Sequence, residues 1–403
     1  MLAATEQRRA RAEALLEEQP AIAEDRWARL ALGRGGWDGD PNEPGGPRSW
    51  APLLYVCHSC FASARVARDL LNAGADPNAT FLNEHGRMSA LYGAAGRIHD
   101  PELTAVLLEA GADPDDGESL YHATEAPDPG CLALLLAHGA QTRGTNALAH
   151  ALDDERLAHV RLLLAGGADP NEGALLAHAV RRGRGAEFAE LLVSAGAELE
   201  RSGGETWRGD VRLRTPYQHA VLRARDELAE TLARLGARPE ADPADLAVAC
   251  LARGERPREP LPDALDVDQQ EVVILAALRG HLDLVVDALG AELSGVVGGS
   301  PPGRLLHHAA WVGSAESVAT LLARGADPLA PDGGERFATP LAWAALGSEH
   351  HELPGRDYVA VAESLVAAGA PVEPRLIDVA EGPLAGWLEG VANPYTRMER
   401  RGG

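Results

Sequence analysis

Five histidines occupy the same place in a recurring pattern, directly before an alanine in an apolar stretch. They are His122, His150, His178, His219 and His308. Imidazole exchanges a proton near neutral pH and is a common metal ligand, so a row of such rings could do acid–base or metal chemistry. If the apolar stretches are helices stacked side by side, the rings form a column along one face, with Trp343 in the same place near the end of the chain.

Charged residues accompany the column and define a candidate pocket. Asp153 and Asp154 follow His150, and Arg181 and Arg182 follow His178. The pocket would comprise His150, His178, His219, Asp153, Asp154 and Arg182. Because an acid, a base and a cation could converge there, an enzyme or a small-ligand or metal-binding protein is one functional hypothesis.

The chemistry of this pocket is incomplete. Nothing in the sequence orders a nucleophile, and there is no nucleophile elbow, phosphate-binding loop or His-Glu-x-x-His motif. Stacked helices lie about 8–10 Å apart, whereas zinc needs nitrogens at about 2.0–2.1 Å, so four rings of the column cannot share one ion. We therefore expect no catalytic residue, no metal site and no cofactor. The column also has a structural explanation, in which each imidazole fills a semi-buried slot and hydrogen-bonds the backbone.

Composition and charge narrow the class of partner. The chain has 403 residues and a formal net charge of −23, and its basic residues are all arginine. Such a field repels phosphate backbones, so we expect a basic or mixed-charge protein partner and no nucleic acid. The charged N-terminal stretch is unlike a secretory signal, and no apolar run is long enough for a membrane span. We expect a cytoplasmic monomer that does not contact a membrane.

The elements that would position these residues are marked by a repeated phrase, Leu-Leu-x-x-Gly-Ala-Asp-Pro, as in residues 70–77, 107–114 and 321–328. The apolar pair closes the buried face of a helix, the glycine ends the helix in the left-handed conformation, and Asp-Pro starts a turn. The anchoring glycines are Gly74, Gly111, Gly139, Gly167, Gly196, Gly236, Gly290, Gly325 and Gly369.

A second apolar element lies about twenty residues before most of these glycines. Residues 303–328 are the best example and predict a helix, a turn at Gly313 and a second helix that ends at Gly325. Two such short helices cannot bury their own apolar stripes and must stack on neighbouring pairs. The long interval between Gly236 and Gly290 predicts a degenerate repeat whose first helix is residues 243–254.

This pattern resembles the ankyrin repeat over roughly residues 50–372. The Thr-Pro start of the family occurs at Thr215-Pro216 and Thr339-Pro340, its Leu-His pair at Leu306-His307, and its Gly-His turn at Gly280-His281. The resemblance implies an all-α solenoid of about ten helix-turn-helix repeats with short hairpin loops and helical caps. We divide the chain into an N-terminal helical cap and Gly/Pro-rich linker (1–49), the repeats (50–372), and a C-terminal helical cap and tail (373–403).

The resemblance also implies the function of a scaffold or adaptor that binds a partner protein segment in a concave groove. Residues after the alanine pairs would face the groove, which would change from acidic at Asp153 and Asp154 to basic at Arg181 and Arg182. The inserted segment 198–214 combines Trp207 with arginines, residue types that are enriched at binding hot spots. The candidate partner-binding residues are His122, His150, His178, His219, Asp153, Asp154, Arg181, Arg182, Trp207, Arg223, His308, Trp311 and Trp343.

Overall fold

The computed structural model describes residues 1–204, 212–297, 301–334 and 338–392. It divides the chain into two units, Met1–Arg201 (unit 1) and Ser202–Gly403 (unit 2). Helices predominate in both, as the sequence predicts. No helix in the described ranges is long and apolar enough to cross a membrane.

Unit 1 begins with three short helices and continues as five helix pairs. The first three are α1 (Leu2–Thr5), α2 (Arg9–Glu18) and α3 (Arg26–Ala31). The pairs are α4 (Pro52–Cys57) with α5 (Ala64–Asn72), α6 (Ala90–Tyr92, extended by a π-turn over Gly93–Ile98) with α7 (Pro101–Glu109), α8 (Ser119–His122) with α9 (Gly130–Ala137), α10 (Ala147–Asp153) with α11 (Leu157–Ala165), and α12 (Leu175–Arg181) with α13 (Ala186–Ser194). First helices pack on first helices of the next pair, and second helices on second helices.

Within its described residues, unit 2 has four helix pairs and two single helices. The pairs are α14 (Pro216–Leu222) with α15 (Asp226–Arg234), α17 (Val267–Ala276, followed by a π-turn over Ala277–His281) with α18 (Leu282–Leu289), α19 (Leu305–Trp311) with α20 (Ala315–Ala323), and α21 (Pro340–Gly347) with α22 (Tyr358–Ala367). The single helices are α16 (Pro243–Ala252) and α23 (Gly382–Ala392). The degenerate repeat therefore has its predicted first helix, α16, and residues 253–266 after it form no second helix.

Sheet is confined, in the described residues, to two short antiparallel hairpins between helix pairs. In unit 1, β1 (Thr80–Asn83) pairs with β2 (Gly86–Ser89), with Thr80 opposite Ser89. In unit 2, β3 (Ser294–Gly295) pairs with β4 (Gly303–Arg304). The predicted all-α fold class with short hairpin loops is confirmed, while the count of about ten repeats stays a prediction.

The anchoring glycines do what the repeated phrase predicts. All nine have positive φ, between 85° and 111°, although the ψ of 164° places Gly290 outside the left-handed helical region. At Gly325, for example, the Ala326 N–H donates to the Leu321 carbonyl at 3.0 Å and the Gly325 N–H to the Leu322 carbonyl at 3.1 Å. These two bonds form a Schellman motif, which satisfies carbonyls at the helix end. A Cβ added at Gly325 would meet no atom within 4 Å, so backbone conformation and not space selects glycine.

Asparagines in the turns of unit 1 connect neighbouring repeats. Asn78 donates to the Gly111 carbonyl and accepts from the Asp113 N–H at 2.7 Å, and Asn171 makes the equivalent bonds to Gly196 and Glu198. Asn42 does the same toward Gly74 and Asp76. Asn42 belongs to an Asp-Pro-Asn phrase at residues 40–42, inside the segment that the sequence assigns to a linker, so the bridging pattern begins before residue 50.

The core is aliphatic, as the low aromatic content predicts. In unit 1 the second helices bury one leucine face, with Leu103, Leu107 and Leu135 fully enclosed. In unit 2 a continuous cluster runs from Leu222 to Leu388. At about 25 cal/mol per Å² of buried apolar area, this stacking is what stabilises helices that are too short to persist alone.

Candidate functional site

Aromatic and imidazole rings form a continuous row along the first helices of unit 1. The centroid distances are 5.6 Å for Trp50–His58, 6.0 Å for His58–Tyr92, 5.2 Å for Tyr92–His122, 5.0 Å for His122–Tyr121 and 4.4 Å for Tyr121–His150. We call these six residues the ring row. Neighbouring first helices stack, and this places rings from α6, α8 and α10 beside one another.

The ring row is buried at one end and accessible at the other. Trp50 and His58 are buried, and burial lowers the pKa of His58 to about 4 although its Nε2 donates to the Ser89 carbonyl at 2.8 Å. The four remaining rings are half-buried and offer part of their surface to solvent: Tyr92, Tyr121, His122 and His150. We call these four the open rings.

Hydrogen bonds hold the two imidazoles of the open rings in place. His122 lies between two carboxylates, with Nδ1 at 2.8 Å from Glu125 and Nε2 at 3.3 Å from Glu118. His150 Nδ1 is 2.7 Å from the Thr124 hydroxyl, which itself donates to the Tyr121 carbonyl. Since that hydroxyl has only one proton to give, His150 Nδ1 is the donor in the bond between them.

The surroundings of the open rings are mostly acidic. Burial raises the pKa of Tyr121, and the negative charges of Glu125, Asp153 and Asp154 raise it further. Burial also raises the pKa of Tyr92; the positive charge of Arg97 opposes this effect, and the negative charges of Glu118 and Glu125 add to it. Carboxylates therefore act on both tyrosines, and at Tyr92 an arginine opposes them.

The candidate pocket is only partly assembled. Asp153 accepts from His178 Nε2 at 2.8 Å and from Arg182 Nε at 2.6 Å. Burial would raise the pKa of Asp153, but these two partners hold it below its usual range. His150 turns instead to Thr124, and His219 belongs to unit 2. Thus His178 and Arg182 both contact Asp153, while His150 and His219 have other partners.

The other charged candidates of unit 1 lie at the surface. Asp154 and Arg182 are exposed and Arg181 is half-buried at the end of α12. Among the described residues, no three histidine, cysteine, aspartate or glutamate side chains are grouped so that they could hold a metal ion.

In unit 2 the histidines of the predicted column are buried. His219 Nε2 donates to the Gly203 carbonyl at 2.9 Å, and burial lowers the pKa of His219 to about 3. His308 Nε2 donates to the Gly295 carbonyl at 3.2 Å, and burial lowers its pKa to about 4. These two rings match the structural explanation of the column, and neither contributes to an exposed face.

The aromatic candidates of unit 2 are also largely internal. Trp343 is buried and its indole N–H donates to Asp332 at 2.8 Å. His308 packs edge-on against Trp343, and the half-buried Trp311 lies 6.0 Å from it. This cluster ties α19 to α21. Trp207, the proposed hot spot, lies outside the described residues, so its role stays a prediction.

Unit 2 also holds a buried charge network that the sequence did not indicate. The Arg214 side chain is 1 % exposed and donates to both oxygens of Asp245 at 2.8 Å and to Asp266 at 2.6 Å. Arg223, a candidate binding residue, instead donates to Asp268 at 2.9 Å and to Glu271 at 3.1 Å. Burial lowers the pKa of Arg214, but its hydrogen bonds to Asp245 and Asp266 more than reverse that effect.

The sequence likewise did not single out Tyr92, Tyr121 and Glu118. The available signal was the adjacency of Tyr121 and His122 in a chain with only 4 % aromatic residues. The contact of Tyr92 with His122 joins two repeats and becomes visible only in the structure.

Comparison with known proteins agrees with the repeat geometry. A family model for the ankyrin repeat matches residues 305–333, which contain α19 and α20. The chain is similar to the human ASB11 ankyrin repeat domain, with 20 % identity, a TM-score of 0.42, and coverage of 54 % of this chain and 99 % of that one. It is similar to the ankyrin repeat domain of Bcl-3, a member of the IkappaB family, with 24 % identity, a TM-score of 0.37, and coverage of 55 % and 96 %. No curated protein sequence matches the chain.

Proposed function

We propose that this chain, whose residues 305–333 match the family model of the ankyrin repeat, is an interaction scaffold that binds a segment of a partner protein along the first helices of unit 1. The observation that carries this proposal is the run of open rings from Tyr92 to His150, which are in contact across three successive repeats. The core of this fold is built from aliphatic side chains, so aromatic side chains at a half-buried surface are not required for its packing. Binding sites, in contrast, are enriched in aromatic residues.

The open rings are suited to binding because most of their freedom is already lost. His122 is fixed by Glu118 and Glu125, and His150 by Thr124. Tyr121 packs against both imidazoles. A partner that docks on pre-ordered rings avoids the cost of about 0.5–1.5 kcal/mol for immobilising each side chain. The surface therefore presents rigid aromatic area beside carboxylates, which suits an extended segment with basic or mixed charge.

A peptide selection tests the proposal without knowledge of the natural partner. Displayed random dodecapeptides are selected on the full chain, and the recovered peptides are titrated against wild type and Tyr121→Ser. We expect Tyr121→Ser to weaken binding about tenfold or more, the size of loss typical when an aromatic hot spot is truncated. The matched control is Tyr217→Ser, which removes a half-buried tyrosine of α14 in unit 2.

Peptides that bind wild type, Tyr121→Ser and Tyr217→Ser equally well would show that the open rings are not the binding site. Circular dichroism of each variant checks that the fold is kept. Titration of the same peptides against Trp207→Ala tests the separate, sequence-based proposal that the inserted loop supplies a hot spot. A loss confined to Trp207→Ala would move the site to that loop.

A further inference from the structure

We propose that Tyr121 is the seat for an arginine side chain of the bound segment, with Glu125 and Asp154 supplying the negative charge. This inference rests on the proposed function and specifies its partner. Three features of unit 1 support the arginine seat. Arginines of the chain lie over its own aromatic rings, carboxylates are unevenly distributed along the open rings, and some of those carboxylates form no ion pair with an arginine.

The chain itself shows how arginines meet its aromatic rings. At the N-terminal end of unit 1, the guanidinium of Arg48 lies over Trp50 at 5.0 Å and that of Arg26 over Trp37 at 4.3 Å. These are cation–π contacts, in which the positive charge faces the electron-rich ring. Among the described residues, no arginine lies over Tyr121 in this way. Tyr121 thus lacks the arginine contact that the buried Trp50, at the other end of the ring row, has.

The acids are placed at Tyr121 and not evenly along the open rings. The charges of Glu125, Asp153 and Asp154 act on Tyr121, and Glu125 is bonded to His122, whose ring packs against Tyr121. Tyr92 is acted on by Glu118 and Glu125, but there the cation Arg97 opposes them. An incoming guanidinium would be repelled by Arg97 and attracted by the three carboxylates. The electrostatics therefore select Tyr121 among the open rings as the seat.

Two of the three carboxylates around Tyr121 form no ion pair with an arginine among the described residues. The third, Asp153, is shared by His178 and Arg182. Glu125 accepts from His122, a ring that carries charge only when protonated, and the Arg156 guanidinium donates to the main-chain carbonyl of Glu125 and not to its carboxylate. Asp154 is exposed and forms no ion pair with any residue in the part of the chain that the structure describes. The carboxylates of Glu125 and Asp154 are therefore without an arginine partner near a half-buried aromatic ring.

Arginine fits this seat better than lysine does. Its planar guanidinium can stack on the tyrosine ring and donate to carboxylates in the same plane, and it is less strongly hydrated than an ammonium group. Lysine offers only a point charge that holds its water tightly. The affinity of a peptide should therefore decrease when its arginine is replaced by lysine, and decrease further when it is replaced by the uncharged isostere citrulline.

The test uses selected dodecapeptides whose binding is weakened by Tyr121→Ser. Each arginine in turn is replaced by lysine or by citrulline, and the Kd for wild type is measured by calorimetry. We expect one position at which citrulline weakens binding about tenfold and lysine weakens it less. In Glu125→Gln/Asp154→Asn, the ratio between the arginine and citrulline peptides should shrink to about one- to threefold, since the paired charges are gone.

A charge-matched control separates the site from the general acidity of the protein. Glu190→Gln/Glu102→Gln removes the same charge from exposed positions of α13 and α7 and should leave the arginine-to-citrulline ratio unchanged. Peptides that depend on Tyr121 but tolerate citrulline at every position would overturn this inference and leave the proposed function intact. Recovery of no peptide that depends on Tyr121 would overturn both. Equal effects of the two double variants would also overturn the inference, because they would show attraction by net charge alone.

Discussion

Replacement of Arg214 by leucine tests whether a buried ion network stabilises unit 2 locally. Arg214 precedes α14 and reaches Asp245 on α16 and Asp266 before α17, so one guanidinium joins three parts of the unit. Asp245 also accepts from Gln269 at 2.8 Å. Arg214→Leu keeps most of the apolar volume and removes the guanidinium, so that only neutral donors such as Gln269 still face these carboxylates.

The expected magnitude follows from burial and geometry. The side chains of Arg214 and Asp245 are 1 % and 2 % exposed, and two nearly equal bonds of 2.8 Å join them in a bidentate pair. Removal of one partner from a buried pair leaves a desolvated charge and costs about 3–5 kcal/mol. We expect Arg214→Leu to lower the free energy of local opening by that amount. Arg214→Leu/Asp245→Leu should cost less than the single change, because the most deeply buried orphan charge is then absent.

Hydrogen exchange read by mass spectrometry is the appropriate assay, because repeat arrays do not unfold in one cooperative step. Protection should fall in α14, α16 and α17 and remain in the helices of unit 1. The control is Arg324→Leu, which removes the exposed ion pairs with Asp283 and Asp287. It should not change hydrogen-exchange protection measurably, because exposed ion pairs contribute little to stability.

The reasoning is refuted if Arg214→Leu and Arg324→Leu change protection equally. A double variant that is as unstable as Arg214→Leu would also refute it, since the loss would then come from packing and not from an unpaired carboxylate.

Two other predictions concern stability. Gly325→Val should lower the free energy of local unfolding by about 1–3 kcal/mol. The reason is that valine is strained at a φ of 87° even though no atom obstructs its Cβ. Hydrogen exchange around α20 measures the loss, and an equal loss for Gly325→Asn, which tolerates this φ better, would contradict the backbone explanation. Acidification should destabilise unit 2 through His308: its folded pKa of about 4 lies below the unfolded value, so only the unfolded chain gains a proton as pH falls below about 6.5. Between neutral pH and pH 5 this lowers the free energy of unfolding by about 2 kcal/mol. Urea titrations should show a smaller decline for His308→Gln, and identical pH profiles would disprove the linkage.

The repeat and the ends of its helices can be predicted from local sequence. A glycine after an apolar pair, followed by Asp-Pro, dictates the helix end through local backbone conformation, and all nine predicted glycines have positive φ. Proline at the first helical position similarly marks the starts of α4, α7, α14, α16 and α21. These features depend on a few neighbouring residues. A sequence pattern can therefore report them even where the repeat lengths vary.

The surroundings of the histidine column, in contrast, depend on tertiary contacts. Five residues with the same place in the pattern separate into half-buried rings, such as His122 and His150, and buried ones, such as His219 and His308. Their surroundings come from neighbouring repeats and hairpins, and those contacts join residues far apart in the chain. The same holds for Arg214, whose partners lie 31 and 52 residues away. Local spacing determines the helix position from which a side chain projects. Its burial and its charged neighbours depend on the segments that the fold packs against it. These two properties determine whether an imidazole or a guanidinium stabilises the core or remains accessible to a partner.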